Sequence, residues 1–383
     1  MKRSSFKKAT AALLAMVLLL CLAACGGGST SGGSSTGGGS STGGGSTTGG
    51  SSTGGGSTSG GSSTGGAPAE NLPTYKITYA SNDAPGSWRY DLVEEIFANM
   101  MEEKTNGRIT VELYPSGSLA RPGELLTAVK NGTVDSGQDS FTRYSGQYPY
   151  YELFTMPGWV FNSFEDFNAT ATQYVKEFPD ASAKDFKLIV VCDAGQFGLV
   201  STKQINTIAD IRGKAVRNTA SFIPLFDKLN ASSVDVASGD FYESLRLNLI
   251  DAITTNNHAI PTFHLEEICV SFTSLPIIHA DFAIFMSQEL FDSFDAELQA
   301  QVDEVCEGMK KVVLDYIHTV TNEAKKVTLE SNPNFVFLDF SNDDIKELTE
   351  TAQSLLTDKA AALDSAGLKG TEAYNWIQAH QSK

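Results

Sequence analysis

Positive charge is scarce in this chain. Its 383 residues hold 28 Lys and Arg against 45 Asp and Glu, for a formal net charge of −17. Nucleic-acid binding needs concentrated basic surface, so the balance speaks against it. It also speaks against lying flat on anionic lipid. An anionic ligand would need a local positive site inside an acidic protein. Cysteine is scarce too: of five, Cys21 and Cys25 fall near the N-terminus, leaving Cys192, Cys269 and Cys306. Three cannot all pair within one chain, and none shows metal-ligand spacing. They read as buried small hydrophobes, with one disulfide as the alternative. No apolar run after the N-terminal one approaches the ~20 residues of a spanning helix. No Gly-x-Ser-x-Gly elbow appears. The pair His258 and His264, with Glu266 and Glu267, matches no familiar zinc spacing and reads as solvated helix charges. No metal, cofactor or internal repeat is expected.

What is present begins with a basic head, Lys2, Arg3, Lys7 and Lys8, followed by an apolar stretch from Ala11 to Ala24. Fourteen residues at ~1.5 Å rise cannot cross a ~30 Å hydrocarbon layer, so residues 1–24 read as a secretory signal. Leu22-Ala23-Ala24-Cys25 resembles the bacterial lipobox, in which the cysteine is acylated and becomes the mature N-terminus. Removing the signal takes four basic residues and leaves a net charge of −21. Residues 26–66 are only Gly, Ser and Thr. Such a segment cannot bury apolar surface to offset the entropy of ordering. A coil of that length has an end-to-end distance of ~35 Å and a full reach of ~140 Å. Residues 25–72 are thus a lipid-anchored linker. The expected location is extracytoplasmic, on the outer face of the cytoplasmic membrane.

The body, from about residue 72, is long enough for two lobes. Tyr75–Tyr79 alternates as a strand; Trp88–Thr105 carries apolar residues at helical spacing and stops at Asn106-Gly107. A strand over Arg108–Tyr114 and a helix over Pro122–Lys130 continue the rhythm of an α/β layer with a largely parallel sheet. Gly137–Phe161, rich in Tyr, Pro and Phe, breaks it and reads as an aromatic-lined strand-crossing region. Ser163-x-x-Asp166 has capping-box spacing and opens a helix to about Phe178. Strands are predicted over Lys187–Cys192, Leu199–Thr202, Lys214–Arg217, Asp251–Thr255, Ala280–Met286 and Phe335–Phe340, with a helix over Ser238–Leu249. From Ala296 to about Leu329 apolar residues recur every three or four positions, an unusually long helix. Ser341 and Thr371 open two closing helices.

Three segments in order then carry a resemblance: EEKTNGRITVELYPSGSL from Glu102 to Leu119, IADIRGKAVR from Ile208 to Arg217, and ESLRLNLID from Glu243 to Asp251. Together they resemble the solute-binding proteins of TRAP transporters, over about residues 74–335. These are extracytoplasmic receptors that deliver mostly organic acids to a small and a large membrane subunit. The resemblance implies an α/β, two-lobed periplasmic-binding-protein-like fold with a long helix bridging both lobes. Lobe I would comprise 73–194 and 281–320, and lobe II 195–280 and 321–383. It implies a monomer, a carboxylate ligand and no catalysis.

In that family the arginine closing the second segment pairs with the ligand carboxylate; here it is Arg217. A guanidinium is a planar fork matched to a carboxylate. Many members carry a second arginine where this chain has Phe197. The family's Asn after "aspartate-glycine" falls on Thr255, followed by Asn256 and Asn257, and the Gly falls on Ala252. The pocket is therefore less polar than the dicarboxylate pattern, and a monocarboxylate, aromatic or branched, fits better. Gln138, Asp139 and Ser140 stand at a strand's carboxyl end, where ligands collect. Arg143 is a candidate second cation. Trp159, with Phe161, and Trp88 are candidate walls. Rival readings are a receptor for an ATP-driven importer or a sensor, a surface-anchored enzyme, or an adhesin.

Overall fold

The computed structural model describes residues 72–144 and 146–382. The signal, Cys25 and the Gly/Ser/Thr run lie outside the described residues. Among the described residues no helix is long and apolar enough to cross a membrane.

The chain builds one sheet, leaves it, builds another and returns. The first stretch gives β1 (Tyr75–Ala80), α1 (Glu95–Lys104), β2 (Ile109–Tyr114), α2 (Leu125–Lys130) and β3 (Ser136–Asp139), then α3 (Pro149–Thr155), α4 (Phe164–Glu177) and β4 (Phe186–Asp193). It then crosses through residues 194–196 into β5 (Phe197–Ser201), β6 (Ala215–Arg217), α5 (Ile223–Lys228), β7 (Ser232–Val234), α6 (Phe241–Arg246), β8 (Ala252–Asn256), α7 (Ala259–Thr262) and β9 (Ser271–Ser274). A second crossing, through residues 275–280, leads to β10 (Asp281–Ser287), α8 (Gln288–Asp292), α9 (Ala296–Ser331), β11 (Val336–Asp339), α10 (Asn342–Ser365) and α11 (Gly370–His380).

The five-stranded sheet runs β2-β1-β3-β10-β4 and the six-stranded one β11-β9-β5-β8-β6-β7. Each is parallel except for one reversed strand, β10 in the first and β5 in the second. Those two are the strands that follow the crossings. The carboxyl ends of β3, β6 and β8 consequently face the same gap, the position parallel α/β sheets offer to ligands.

The aromatic stretch 137–161 is not the crossing. It forms β3, a short 3-10 turn and α3, and its rings fill the first lobe: Phe154 stacks on Tyr174 at 5.0 Å and lies 5.3 Å from Phe167. Burying each such ring contributes roughly 1.5–3 kcal/mol, which is why these residues sit inward. Trp159 belongs here as well. It is 1% exposed, donates Nε1–H to Leu153 O at 2.8 Å and packs on Tyr374 at 5.4 Å.

Helix α9 runs 36 residues. Asp295 caps it, its side chain accepting from Leu298 N at 2.9 Å. Leu298 through Val320 pack on the first sheet, while Asn257, after β8, donates Nδ2–H to Thr321 O at 2.9 Å. The bridge between lobes is as expected. A second bridge is not: α10 gives Leu348 and Ala352 to a second-lobe core, then Leu356 and Leu363 to the first-lobe core, where Ala373 and Ile377 of α11 join them. Residues 321–383 therefore do not all belong to lobe II. Helix registration at an amphipathic stripe leaves the partner lobe undetermined.

Candidate functional site

A cleft of about 940 Å³ opens between the two lobes. Its lining holds Trp88, Gln138, Asp139, Ser140, Arg143, Phe197, Arg217, Thr255 and Asn256; of the candidates named above, Trp159 and Phe161 are absent because both are buried in the first-lobe core.

Arg217 ends β6 and half emerges into the cleft. Its Nε donates to Val236 O at 3.2 Å, and its guanidinium carbon lies 4.9 Å above the Phe241 ring. Burial lowers its pKa; nearby Asp235 opposes that and Arg143 adds to it. Among the described residues no carboxylate pairs with it, and Nη1 and Nη2 have no protein acceptor. Two donors are left aimed at whatever enters.

Arg143 differs. It follows β3 on a 3-10 turn, and its Nε sits 3.1 Å from Asp139 Oδ1. Asp139 is 3% exposed and saturated: Oδ2 accepts from Gly123 N at 2.9 Å and Tyr144 Oη–H at 2.6 Å, and Oδ1 from Ser140 N at 2.8 Å. It orients Arg143 more than it meets a ligand. Ser140 is also engaged, donating its hydroxyl to Asp281 Oδ1 at 2.8 Å. Burial pushes the Asp281 carboxyl up to about 6.

A third guanidinium was not anticipated. Arg89 lies 3.4 Å from Asp83 Oδ2, 4.8 Å over the Phe282 ring and beside Tyr316 of α9. Burial alone would lower its pKa, but Asp83, Tyr316 and Glu94 together raise it, so it stays charged. Arg89 precedes a π-helical turn, Tyr90–Glu94, a wider geometry that recurs at functional sites. Its signal was its place beside Trp88, just past the carboxyl end of β1. Of three cleft cations, two have internal carboxylate partners and one does not.

The walls are aromatic: Phe197 meets Phe222 edge-on at 5.9 Å, and Phe241, Phe263, Phe282 and Trp88 complete the lining. Buried polar atoms without a protein partner also face this region, namely Gln138 Oε1, Ser221 Oγ, His258 Nδ1 and Arg89 Nε. His258 is a cleft residue, not a solvated helix charge; burial, aided by Arg89, drops its pKa to about 3, so it is neutral. Glu266 is likewise buried. Cys192, Cys269 and Cys306 are free thiols, Cys306 half-buried.

Comparison with known proteins agrees with this fold. The chain is 26% identical over 204 residues to the uncharacterized protein YiiZ of Salmonella typhimurium, covering 52% of this chain and 61% of the relative's length. A TRAP periplasmic solute-binding protein from Desulfovibrio salexigens superposes with TM-score 0.73 at 16% identity, over 80% of this chain and 95% of that one. A marine-metagenome TRAP solute-binding protein specific for aromatic acid ligands, crystallised with 3-hydroxybenzoate, gives TM-score 0.71 at 19% identity, over 80% and 98%. The sequence profile described as bacterial extracellular solute-binding protein, family 7, matches residues 79–362, and the chain belongs to that family.

Proposed function

We propose that this protein is an extracytoplasmic receptor for a compact, apolar monocarboxylate, an aromatic acid foremost, which it hands to the small and large membrane subunits of a TRAP transporter. The reading rests on one observation: Arg217 alone among the three cleft arginines has no carboxylate within ion-pair distance, so the cleft has one guanidinium free to take a ligand carboxylate. A dicarboxylate would bring a second negative charge with no free cation to meet it. The aromatic lining and the aromatic acid bound by the metagenomic relative support the same class.

In the mechanism, the open receptor meets the acid at Arg217, whose Nη donors form two parallel bonds to the carboxylate, each contributing ~1.5–3 kcal/mol. The ring then lies against Phe197, Phe222 and Phe263. Contacts from Trp88 and the first lobe to the same ligand favour the closed state by the ligand's differential affinity for it. The protein binds and does not catalyse. It acts as a monomer moored by acylated Cys25, and the tether raises its effective concentration at its membrane partners.

The test is calorimetric titration with benzoate, 3-hydroxybenzoate and succinate. Benzoate-class acids should bind at least tenfold tighter than succinate; binding of succinate alone would contradict the reading. Separately, Cys25→Ala should move the protein from the membrane fraction to the medium or periplasm.

A further inference from the structure

A second cavity, of about 680 Å³, lies in the first lobe and shares no lining residue with the cleft. Its origin is topological. β4 is the last strand of the five-stranded sheet, so no strand pairs with its far side among the described residues. Helix α4 covers one face of the sheet there and α9 the other, leaving an unfilled slot along the strand edge. The walls are mostly apolar: Phe178, Phe186, Leu188, Val190, Phe285 and Val175. The volume falls in the ordinary range of small-molecule sites, ~300–1,000 Å³.

The rim is polar, and its charges do not cancel. Lys187 is paired with Asp303 at 2.6 Å and Lys310 with Glu307 at 2.6 Å. Asp180 is buried and occupied, accepting from Tyr150 N at 2.9 Å and Tyr151 N at 3.1 Å. Lys176, in the last turn of α4, and Lys184, in the 3-10 turn Ala181–Asp185, are exposed and have no carboxylate partner among the described residues. In a chain of net charge −17, two ammonium groups outside any ion pair, against the single Asp180 carboxylate held by backbone N–H groups, leave a positive rim beside an apolar slot, and that selects a particular chemistry. We propose that this cavity is a second binding site, for an amphipathic monoanion of the medium-chain aliphatic carboxylate class, its chain along the β4 edge and its carboxylate between Lys176 and Lys184. Lysine suits this role because it is a flexible point charge that needs no fixed fork. The site is independent of Arg217 and of the transport ligand.

The experiment uses the full chain and decanoate, below its aggregation concentration, with two readouts. Calorimetry should find a decanoate site whose affinity changes less than twofold when the cleft is saturated with benzoate or when Arg217→Ala is introduced. Cys306 lines the slot and is the half-buried thiol of the three, so decanoate should slow its alkylation, followed by peptide mass. Val175→Trp should weaken decanoate at least tenfold by filling the slot. The surface variant Lys176→Glu/Lys184→Glu, which leaves the core intact, should weaken it about tenfold, and added salt should narrow its gap from the parent. Three results would overturn the proposal: decanoate competing with benzoate and lost in Arg217→Ala, parental affinity in both slot variants, or neither heat nor Cys306 protection at millimolar decanoate.

Discussion

His279 Nδ1 lies 2.7 Å from Asp193 Oδ2, and the pair joins the start of the first crossing between the lobes, at the end of β4, to the second crossing, just before β10. Asp193 ends β4; His279 precedes β10. The imidazole stacks on Phe167 at 5.1 Å and meets Phe161 edge-on at 5.2 Å. Asp193 also accepts from Gly195 N at 3.0 Å, in a crossing where Gly195 holds φ +112°, a backbone state costly for other residues. The pair thus clamps both crossings at one point. Asp193→Asn would weaken this buried hydrogen bond to His279, a loss of ~1–3 kcal/mol. The expected result is a fall in Tm of several degrees and weaker ligand binding with the cleft residues untouched. An unchanged Tm by calorimetry would show that the clamp is dispensable.

Arg217 gives the sharpest prediction on binding. Arg217→Ala removes two charge-assisted bonds and should weaken benzoate at least ~100-fold, equivalent to ~2.7 kcal/mol. Arg217→Lys keeps the charge but loses the fork and the seat over Phe241, so it should fall at least tenfold. Titration of both against the parent decides it; parental affinity in Arg217→Ala would remove the residue from the site.

What the sequence made legible follows from which physical signals are local. Ser163 and Ser341 read as caps, and their hydroxyls accept from Asp166 N and Asp344 N, each at 3.1 Å. Helix α9 was read to within two residues of its end because apolar spacing persists over some thirty positions. The strand SFTS (β9) was missed, and of SGQD (β3) only the carboxyl end was read, because every residue in them is buried, so no alternation marks them. Gly137 is required in β3 by crowding, since a Cβ there would lie 2.5 Å from Ala80 O, and crowding leaves no periodic trace. Trp88 and Trp159 looked alike as aromatics near loops; the backbone turn at Gly158, φ +123°, sends one to the core. The neutralising pairs Arg89–Asp83 and Arg143–Asp139 are what turn a list of arginines into a charge balance, and neither could be scored without geometry.

Phe197 tests that balance directly. It begins β5 in the cleft wall, against Phe222. Phe197→Arg would add a second unneutralised guanidinium and remove an aromatic face. Succinate should gain affinity relative to benzoate, with the ratio of their dissociation constants moving at least tenfold. A ratio that stays put would mean that ligand charge is not read by counting free cations here.

The pH dependence of stability should slope toward acid because of Glu94. This residue is fully buried at the end of the π-helical turn and accepts the Ser81 hydroxyl at 2.7 Å. Burial, with Asp83 adding repulsion, raises its pKa from 4.5 to about 8. The folded state therefore holds a proton that the unfolded chain gives up above about pH 4.5. Stability from this group is complete below 4.5 and declines as pH rises to about 8, by roughly 3–5 kcal/mol. Asp180 and Asp281, both raised to about 6 by burial, add to the same slope over a narrower window. His258 works in the opposite sense: held neutral down to about pH 3, it costs stability as pH falls below the unfolded value of 6.5. Denaturant unfolding from pH 5 to 8.5 should show stability declining toward about pH 8, and Glu94→Gln, which needs no proton, should flatten the decline between pH 6.5 and 8 by about 2 kcal/mol. A Glu94→Gln curve parallel to the parent's would assign the slope to other groups.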